Sequence, residues 1–336
     1  MTPEPMKGSD MKAPATEAAT HRERQGSVTA KLGETAPPAR EKRAGSREER
    51  RTAYLMLAPM MVLLAIFVIW PLIFAFRQSM YQGNFYKPPV FVGLDFYKYV
   101  LTDPGFYQSL KVGAYYAVIV VPGGMLIALL IASFIKTLGS RMASFMKTTV
   151  YLPTVVSAVI ASVLFKIIYA DQGLANWVLS LINVAPKNFL GSPTMVIPAV
   201  AVPGIWLGLG ITTLIMLAGL LDIPDSYIES AQLDGAGFLK RTWYITLPLL
   251  RNVLLYLFVT GIVAAFQEFL LPLLIANGGP VNASTTPNLY IFNQFRAATP
   301  YAMTFSITAS LLLFIVLGTV SALVFRLIRS EKAVDA

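Results

Sequence analysis

Cysteine is absent from this sequence, and the only histidine, His21, lies in a polar N-terminal stretch. Without thiols the chain can form no disulfide, no thiolate metal site and no cysteine nucleophile. With its histidine outside the apolar part of the chain, it has no ligand for a histidine-based metal site and no base for a Ser-His-Asp triad. We therefore expect no catalytic centre, no metal site and no cofactor held by this chain.

Charged residues are also scarce. Only 13% of the 336 residues are charged, 55% are hydrophobic, and the mean hydropathy is +0.61. Such a chain is more apolar than an ordinary soluble domain, and a lipid bilayer is its natural solvent. The sequence pI of about 9.6 does not indicate a nucleic-acid partner, because the basic residues flank apolar stretches and are not interleaved with aromatic stacking residues.

Residues 1–51 differ from the rest of the chain. They are rich in Ala, Pro, Glu, Arg and Lys, and they contain almost no large apolar residue that could build a core. We expect a disordered, basic cytoplasmic tail here, followed by a transmembrane domain over 52–330 and a short cytoplasmic C-terminus at 331–336.

Six stretches of the chain are long and apolar enough to cross a bilayer, which takes about 20 residues in a helix. Helices satisfy the backbone hydrogen bonds in lipid, and these stretches are too long for barrel strands. The sequence therefore predicts an all-α integral membrane bundle of six transmembrane helices. The predicted spans are 54–76, 112–135, 149–169, 196–220, 253–276 and 303–325.

Most Lys and Arg residues outside the spans fall in segments on the same side as the N-terminus. Because positive charge accumulates on the cytoplasmic side, both termini are predicted to be cytoplasmic. The same rule places the long connection between the fourth and fifth spans, residues 222–252, in the cytoplasm.

The connection 222–252 reads DIPDSYIESAQLDGAGFLKRTWYITLPLLRN. Ser226 and Glu229 have the spacing of a capping box, which predicts the start of a short helix. Gly235 and Gly237 then allow a sharp turn into a second short helix. This pattern predicts an exposed projection that inserts into a partner protein.

The connection resembles the EAA signature of the membrane subunits of bacterial binding-protein-dependent ABC importers, and we call residues 222–252 the EAA segment. The signature is E-A-A, three residues, G, nine residues, I, one residue, L-P. The matching positions are Glu229, Ser230, Ala231, Gly235, Ile245, Leu247 and Pro248. Ser230 departs from the usual alanine but is almost as small. The resemblance covers about residues 50–330 and is closest to carbohydrate permeases related to the maltose and glycerol-phosphate systems.

This resemblance implies a type I importer permease bundle in a bacterial inner membrane, with the EAA segment forming a coupling helix that docks on a separate ATP-binding cassette subunit. The residues expected to carry this docking are Glu229, Ser230, Ala231, Asp234, Gly235 and Ala236. The chain has no phosphate-loop motif, so ATP and magnesium would belong to two such partner subunits. A second permease subunit, expected to be a different chain, and an extracytoplasmic binding protein that delivers a sugar are also implied. The alternative interpretation of the segment is a simple amphipathic connector.

Two charges fall inside the predicted spans, Lys166 and Glu268. Counted along straight helices they lie at similar depth, and an intramembrane charge indicates a functional site unless it is paired or hydrated. We hypothesise that both border a substrate pathway, with Gln267, Tyr169 and Trp206 contributing hydrogen bonds or a stacking face. The alternatives are an ion pair between the two charges, a snorkelling Lys166, and an aromatic residue that only packs.

Two other classes of membrane protein are alternatives. An ion-coupled secondary transporter would show paired half-repeats and further buried acidic groups. A membrane-embedded enzyme would need a catalytic constellation that these residue types do not supply. Neither pattern is visible in the sequence, which does not specify which sugar is carried.

Overall fold

The structure is a computed structural model that describes residues 47–84 and 87–330. The chain divides into two units, Met1–Val68 and Ile69–Ala336. The predicted tail up to residue 46 and the predicted C-terminus at 331–336 lie outside the described residues. The tail prediction was wrong for residues 47–51, since helix α1 spans Arg47–Leu64. Arg and Glu favour helix, so the apolar helix extends into this charged stretch.

A π-helical turn, Ala65–Ile69, follows α1. The second unit then opens with α2 (Trp70–Ser79), an antiparallel hairpin of β1 (Tyr81–Asn84) and β2 (Lys87–Phe91), and α3 (Asp95–Thr102). Next come α4 (Pro104–Lys136), α5 (Ser140–Val155), α6 (Ala158–Ile168), α7 (Leu174–Leu181) and α8 (Val196–Leu221). The EAA segment contains α9 (Asp225–Leu233), α10 (Phe238–Arg241), a π-helical turn (Thr242–Thr246) and α11 (Leu247–Leu249). The last helices are α12 (Arg251–Gln267), α13 (Leu270–Ala276), α14 (Pro287–Arg296) and α15 (Ala302–Ser330).

Within the described residues, four helical runs are long and apolar enough to cross a membrane. They are Arg51–Ser79, Pro104–Lys136, Val196–Leu221 and Ala302–Arg326. The number rises to six if each of two bent helix pairs counts as one span. These pairs are Ser140–Val155 with Ala158–Ile168, bent by 93°, and Phe238–Leu249 with Arg251–Gln267, bent by 74°.

The predicted third span is not one straight helix. Helix α5 ends at Val155 and α6 begins at Ala158, with a bend of 93° between them. The Ser157 hydroxyl accepts a hydrogen bond from the Ile160 amide at 3.3 Å, which caps the start of α6. A local capping residue therefore starts a new helix inside the apolar run.

The predicted fifth span is also broken, between α12 and α13 at Glu268 and Phe269. Proline at 272 has no amide hydrogen to donate to the Glu268 carbonyl four residues earlier, so the helix cannot continue unchanged through this point. The Thr286 hydroxyl donates to that carbonyl instead, at 2.6 Å. The Asn288 side chain donates to the neighbouring Gln267 carbonyl at 2.8 Å. Irregular backbone inside a membrane domain is tolerated when its polar groups are satisfied by protein in this way.

Helix α4 lies at the centre of the second unit and packs against α8 and α12, while α5 packs against α8 and α15 against α14 and α2. One core cluster joins α4, α6, α8 and α13 around buried Tyr116 and Leu271. A second cluster closes the end of the bundle that carries the EAA segment and includes Ile135, Leu220 and Leu250.

The opposite end of the bundle is held by a polar network around the start of α4. The Asp103 carboxylate caps α4 by accepting from the amides of Gly105 and Phe106, each at 3.2 Å. It also accepts from the Tyr290 hydroxyl of α14, which in turn accepts from Gln294 at 2.9 Å. Burial and the bonded Asp103 carboxylate raise the pKa of Tyr290, so the phenol keeps its proton and remains the donor.

Candidate functional site: the EAA segment and a cavity between helices

The turn that ends α9 is a Schellman motif. The Gly235 amide donates to the Gln232 carbonyl at 3.0 Å, and the Ala236 amide donates to the Ala231 carbonyl at 2.9 Å. These two bonds satisfy carbonyls that the end of a helix leaves free. Gly235 has a φ of +75°, the left-handed conformation that this motif requires and that glycine adopts without strain. Gly237 does not share this role, because its φ of −68° and ψ of 172° are extended.

The helix start differs from the sequence prediction. Helix α9 begins at Asp225, its N-cap position is Pro224, and no side chain caps it. The predicted capping box of Ser226 and Glu229 was therefore wrong, because Ser226 already lies inside the helix. Its carbonyl accepts a hydrogen bond from the Ser230 hydroxyl at 2.8 Å.

Among the six predicted docking residues, Glu229, Ser230, Asp234 and Gly235 are exposed and Ala236 is half-buried. Ala231 is 8% exposed and is the buried residue of α9. Large apolar side chains surround this polar surface, and the residues that the structure describes leave them uncovered. They are Tyr227, Leu233, Phe238, Leu239, Trp243 and Tyr244, from 53% to 90% exposed. An exposed apolar patch with polar groups among it is typical of an interaction surface.

A cavity of about 350 Å³ lies between α4, α8 and α12, and we call it the α4/α8 cavity. Its walls are mostly glycine and aliphatic residues, with polar groups from Tyr116, Thr212 and Glu268. A few polar groups in a mainly apolar concave site are what small-molecule sites usually contain.

Glu268 lines this cavity and lies at the break between α12 and α13. One carboxylate oxygen, Oε1, accepts a hydrogen bond from the Leu271 amide at 3.0 Å, near the start of α13. A carboxylate at a helix start is stabilised by the free amides and the helix dipole there. The other oxygen, Oε2, takes no part in that bond.

The structure separates Glu268 from the other residues predicted for the pathway. Lys166 is exposed on α6, and no ion pair joins it to Glu268 in the described part of the chain, so the pairing hypothesis was wrong. The depth estimate behind that hypothesis assumed straight helices, whereas α6, which carries Lys166, follows a 93° bend, and Glu268 lies in the break between α12 and α13. Gln267 faces a different hollow, lined also by Asn288 and residues of α15.

Tyr169 and Trp206 belong to a row of packed aromatic rings. Trp206 contacts Phe165 and Phe165 contacts Tyr169, each with ring centroids 5.8 Å apart, and Tyr169 contacts Phe189 at 5.2 Å. The Tyr169 hydroxyl donates to the Ala199 carbonyl of α8 at 2.9 Å. Both side chains therefore pack helices together, and neither lines the α4/α8 cavity.

Two cavity residues were missed by the sequence reasoning, Tyr116 and Gly204. Tyr116 is 2% exposed, and its hydroxyl lies so close to Gly204 that a Cβ added there would collide with it. The contact joins α4 to α8 in the cavity wall. A tyrosine in the second predicted span and glycines in the fourth were the signal available, but the sequence did not show that they meet.

Comparison with known proteins identifies the family to which this arrangement of helices and EAA segment belongs. The sequence model of the family described as "Binding-protein-dependent transport system inner membrane component" matches residues 120–331. The chain belongs to this family. Residues 120–331 include the EAA segment and two of the three polar residues that line the cavity, Thr212 and Glu268.

Relatives of this transport-system component cover most of the chain. The trehalose/maltose transport system permease protein of Thermococcus litoralis is 31% identical over 74% of this chain and 84% of that protein. The lactose transport system permease protein of Rhizobium radiobacter is 27% identical over 83% of this chain and 94% of that protein.

A solved structure shows the same fold. One chain of a bacterial alginate ABC transporter, crystallised in complex with an alginate pentasaccharide-bound periplasmic protein, has a TM-score of 0.67 and 22% sequence identity. The match covers 82% of this chain and 93% of that chain. The transport-system component described here therefore has the type I importer permease fold.

Proposed function

We propose that this chain forms half of the membrane pathway of a carbohydrate importer. In this proposal a second, different permease subunit supplies the other half, an extracytoplasmic binding protein delivers the sugar, and two ATP-binding cassette subunits hydrolyse magnesium-bound ATP. The relatives named for trehalose/maltose and lactose transport support the substrate class. The alginate transporter chain supports the overall arrangement of helices through its shared fold.

The observation that carries the proposal is the exposed EAA segment. It projects a short helix with a rigid Schellman turn between the long span α8 and the bent helix pair that includes α12. Its apolar side chains, including Leu233 at 90% exposure and Leu239 at 80%, are left largely exposed by the described part of the chain. A solvated connector would not need this apolar surface, whereas a docking element for another subunit does.

We further propose that Glu268 contacts the sugar in the α4/α8 cavity. A carboxylate accepts hydrogen bonds from sugar hydroxyls, and one oxygen of Glu268 is already used to hold the side chain in place. Tyr116 and Thr212 add hydroxyl groups to the same walls. We assign structural or surface roles to the other predicted pathway residues, Gln267, Tyr169, Trp206 and Lys166.

The proposal places both termini and the EAA segment in the cytoplasm. The absence of cysteine allows a clean test, because a single introduced cysteine carries the whole labelling signal. Leu239 is 80% exposed in the EAA segment, and Val281 is 91% exposed in the connection between α13 and α14. In intact cells a membrane-impermeant maleimide should label Val281→Cys, and it should label Leu239→Cys only after permeabilisation.

The docking partner is tested in the same preparation. A Leu233→Cys variant should form a cross-link to a co-purifying ATPase subunit, whereas Val281→Cys should not. Labelling of Leu239→Cys from outside intact cells, or purified complexes without any ATPase, would refute the proposed function.

A further inference from the structure

One ammonium group joins three helices at the end of the bundle that carries the EAA segment. Lys136 is the last residue of α4. Its Nζ donates a hydrogen bond to the Leu220 carbonyl of α8 at 3.0 Å and forms an ion pair with the Asp225 carboxylate at 3.4 Å. Asp225 is the first residue of α9. A single side chain thus ties the end of α4 to the end of α8 and to the start of α9.

The chain around this contact is fixed by burial. Ile135 is 2% exposed, Leu220 is 5% exposed, and Ile223, in the connection between α8 and α9, is 7% exposed. All three belong to the core cluster at this end of the bundle. Beyond this anchor, α9 buries only Ala231. The direction in which α9 leaves the bundle is therefore set mainly at its first turn, where Lys136 acts.

The two contacts of Lys136 differ in strength. The Leu220 carbonyl lies at the negative end of the α8 dipole and has no amide partner further along the helix, so a cation there is favourable. A charged donor also makes a stronger hydrogen bond than a neutral one. The ion pair with Asp225 is weaker, because that carboxylate is 78% exposed and water screens it. Together the two contacts fix an angle between helices, which a single contact would leave free.

We infer that Lys136 is a positioning residue for energy coupling, which holds α9 at a fixed angle to α4 and α8. A displacement of α9 by a partner subunit is then delivered to both spans and to the cavity between them. Without the ammonium, α9 turns about the buried Ile223 anchor and part of the displacement is lost. The inference rests on the proposed function of the EAA segment as a docking element.

The test uses the assembled transporter in proteoliposomes and measures the number of sugar molecules imported per ATP hydrolysed. Lys136→Met keeps the length of the side chain but removes the donor. We expect this ratio to fall by about tenfold, which corresponds to the loss of one hydrogen bond from a charged group. Lys136→Arg restores a charged donor and should restore the ratio to within about twofold, since both cations can serve a single carbonyl and carboxylate.

Lys147→Met is the matched control. Lys147 lies on α5 and is half-buried, and its ammonium group makes no hydrogen bond or ion pair with the residues that the structure describes. Its removal should leave the ratio unchanged. A lysine with a merely structural role would change the yield of the assembled complex, whereas the sugar-to-ATP ratio of the complex that does assemble would stay the same.

An unchanged ratio in assembled Lys136→Met overturns the inference. If that variant does not assemble, Asp225→Asn decides, because the carboxylate is 78% exposed and its replacement should leave folding intact. Asp225→Asn should lower the ratio by about twofold, the value of a screened ion pair, and no change overturns the inference. A wild-type complex whose ATP hydrolysis does not drive import would refute the proposed function itself. If ATP hydrolysis drives import in the wild type and the Lys136→Met complex imports as many sugar molecules per ATP, only the role of Lys136 is refuted.

Discussion

Gly235 offers a sharp test of the EAA segment, because the structure separates the backbone effect of a substitution from its steric effect. A Cβ added at Gly235 would meet no atom within 4 Å, so a side chain has room. The φ of +75° is nevertheless a conformation that L residues rarely adopt. We predict that Gly235→Val uncouples transport and leaves membrane insertion intact.

The magnitude follows from the backbone alone. An L residue in the left-handed region costs about 1–2 kcal/mol, and a β-branched residue lies at the upper end of that range or beyond it. A cost of about 2 kcal/mol reduces the population of the native turn roughly thirtyfold relative to the alternatives. The two Schellman hydrogen bonds, to Gln232 and Ala231, are lost in those alternatives, and α9 then ends in a different direction.

Gly237→Val is the matched control, since position 237 is two residues away, equally open and extended, with a φ of −68°. Valine adopts extended backbone readily. Initial rates of sugar uptake should fall by about tenfold or more in Gly235→Val, in line with the thirtyfold loss of the turn, and should stay within about twofold in Gly237→Val. Immunoblots of membrane fractions should show equal amounts of both variants.

Sugar import at the normal rate by Gly235→Val, or equal damage in Gly237→Val, would contradict this prediction. The first result would remove the Schellman turn from the mechanism. The second would show that any side chain in this turn blocks docking, so that the left-handed backbone is not the cause.

The α4/α8 cavity leads to two further predictions. Gly204→Ala should lower the free energy of unfolding of the purified protein in detergent by about 1–3 kcal/mol, because the added Cβ collides with the Tyr116 hydroxyl. Gly208→Ala should leave it unchanged, because a Cβ at this position in the same cavity wall meets no atom within 4 Å. Glu268→Gln should raise the sugar concentration needed for half-maximal uptake by about tenfold through the loss of a charged acceptor, and Lys166→Gln should not. A result in which both glycine variants, or both glutamine variants, behave alike contradicts the assigned positions of these residues.

The apolar runs and the EAA spacing predicted the fold class and the location of the exposed segment, because both features depend on residues close together in sequence. The breaks in two predicted spans were not visible in the same way. Ser157 and Pro272 are local signals, but many membrane helices tolerate such residues without a break. The second break also depends on a hydrogen bond to the Glu268 carbonyl from Thr286, 18 residues further along the chain. The contact of Tyr116 with Gly204 joins distant parts of the chain, so no local pattern indicates it.

Hydrogen bonds within the protein satisfy the backbone at the break between α12 and α13. The carbonyls of Gln267 and Glu268 are occupied by Asn288 and Thr286, and the Leu271 amide is occupied by the Glu268 carboxylate. The break therefore needs no water molecule to satisfy these three backbone groups. Because groups of the protein itself satisfy this backbone, the break can persist whether the α4/α8 cavity is filled or empty, and the Glu268 carboxylate stays anchored in the cavity wall.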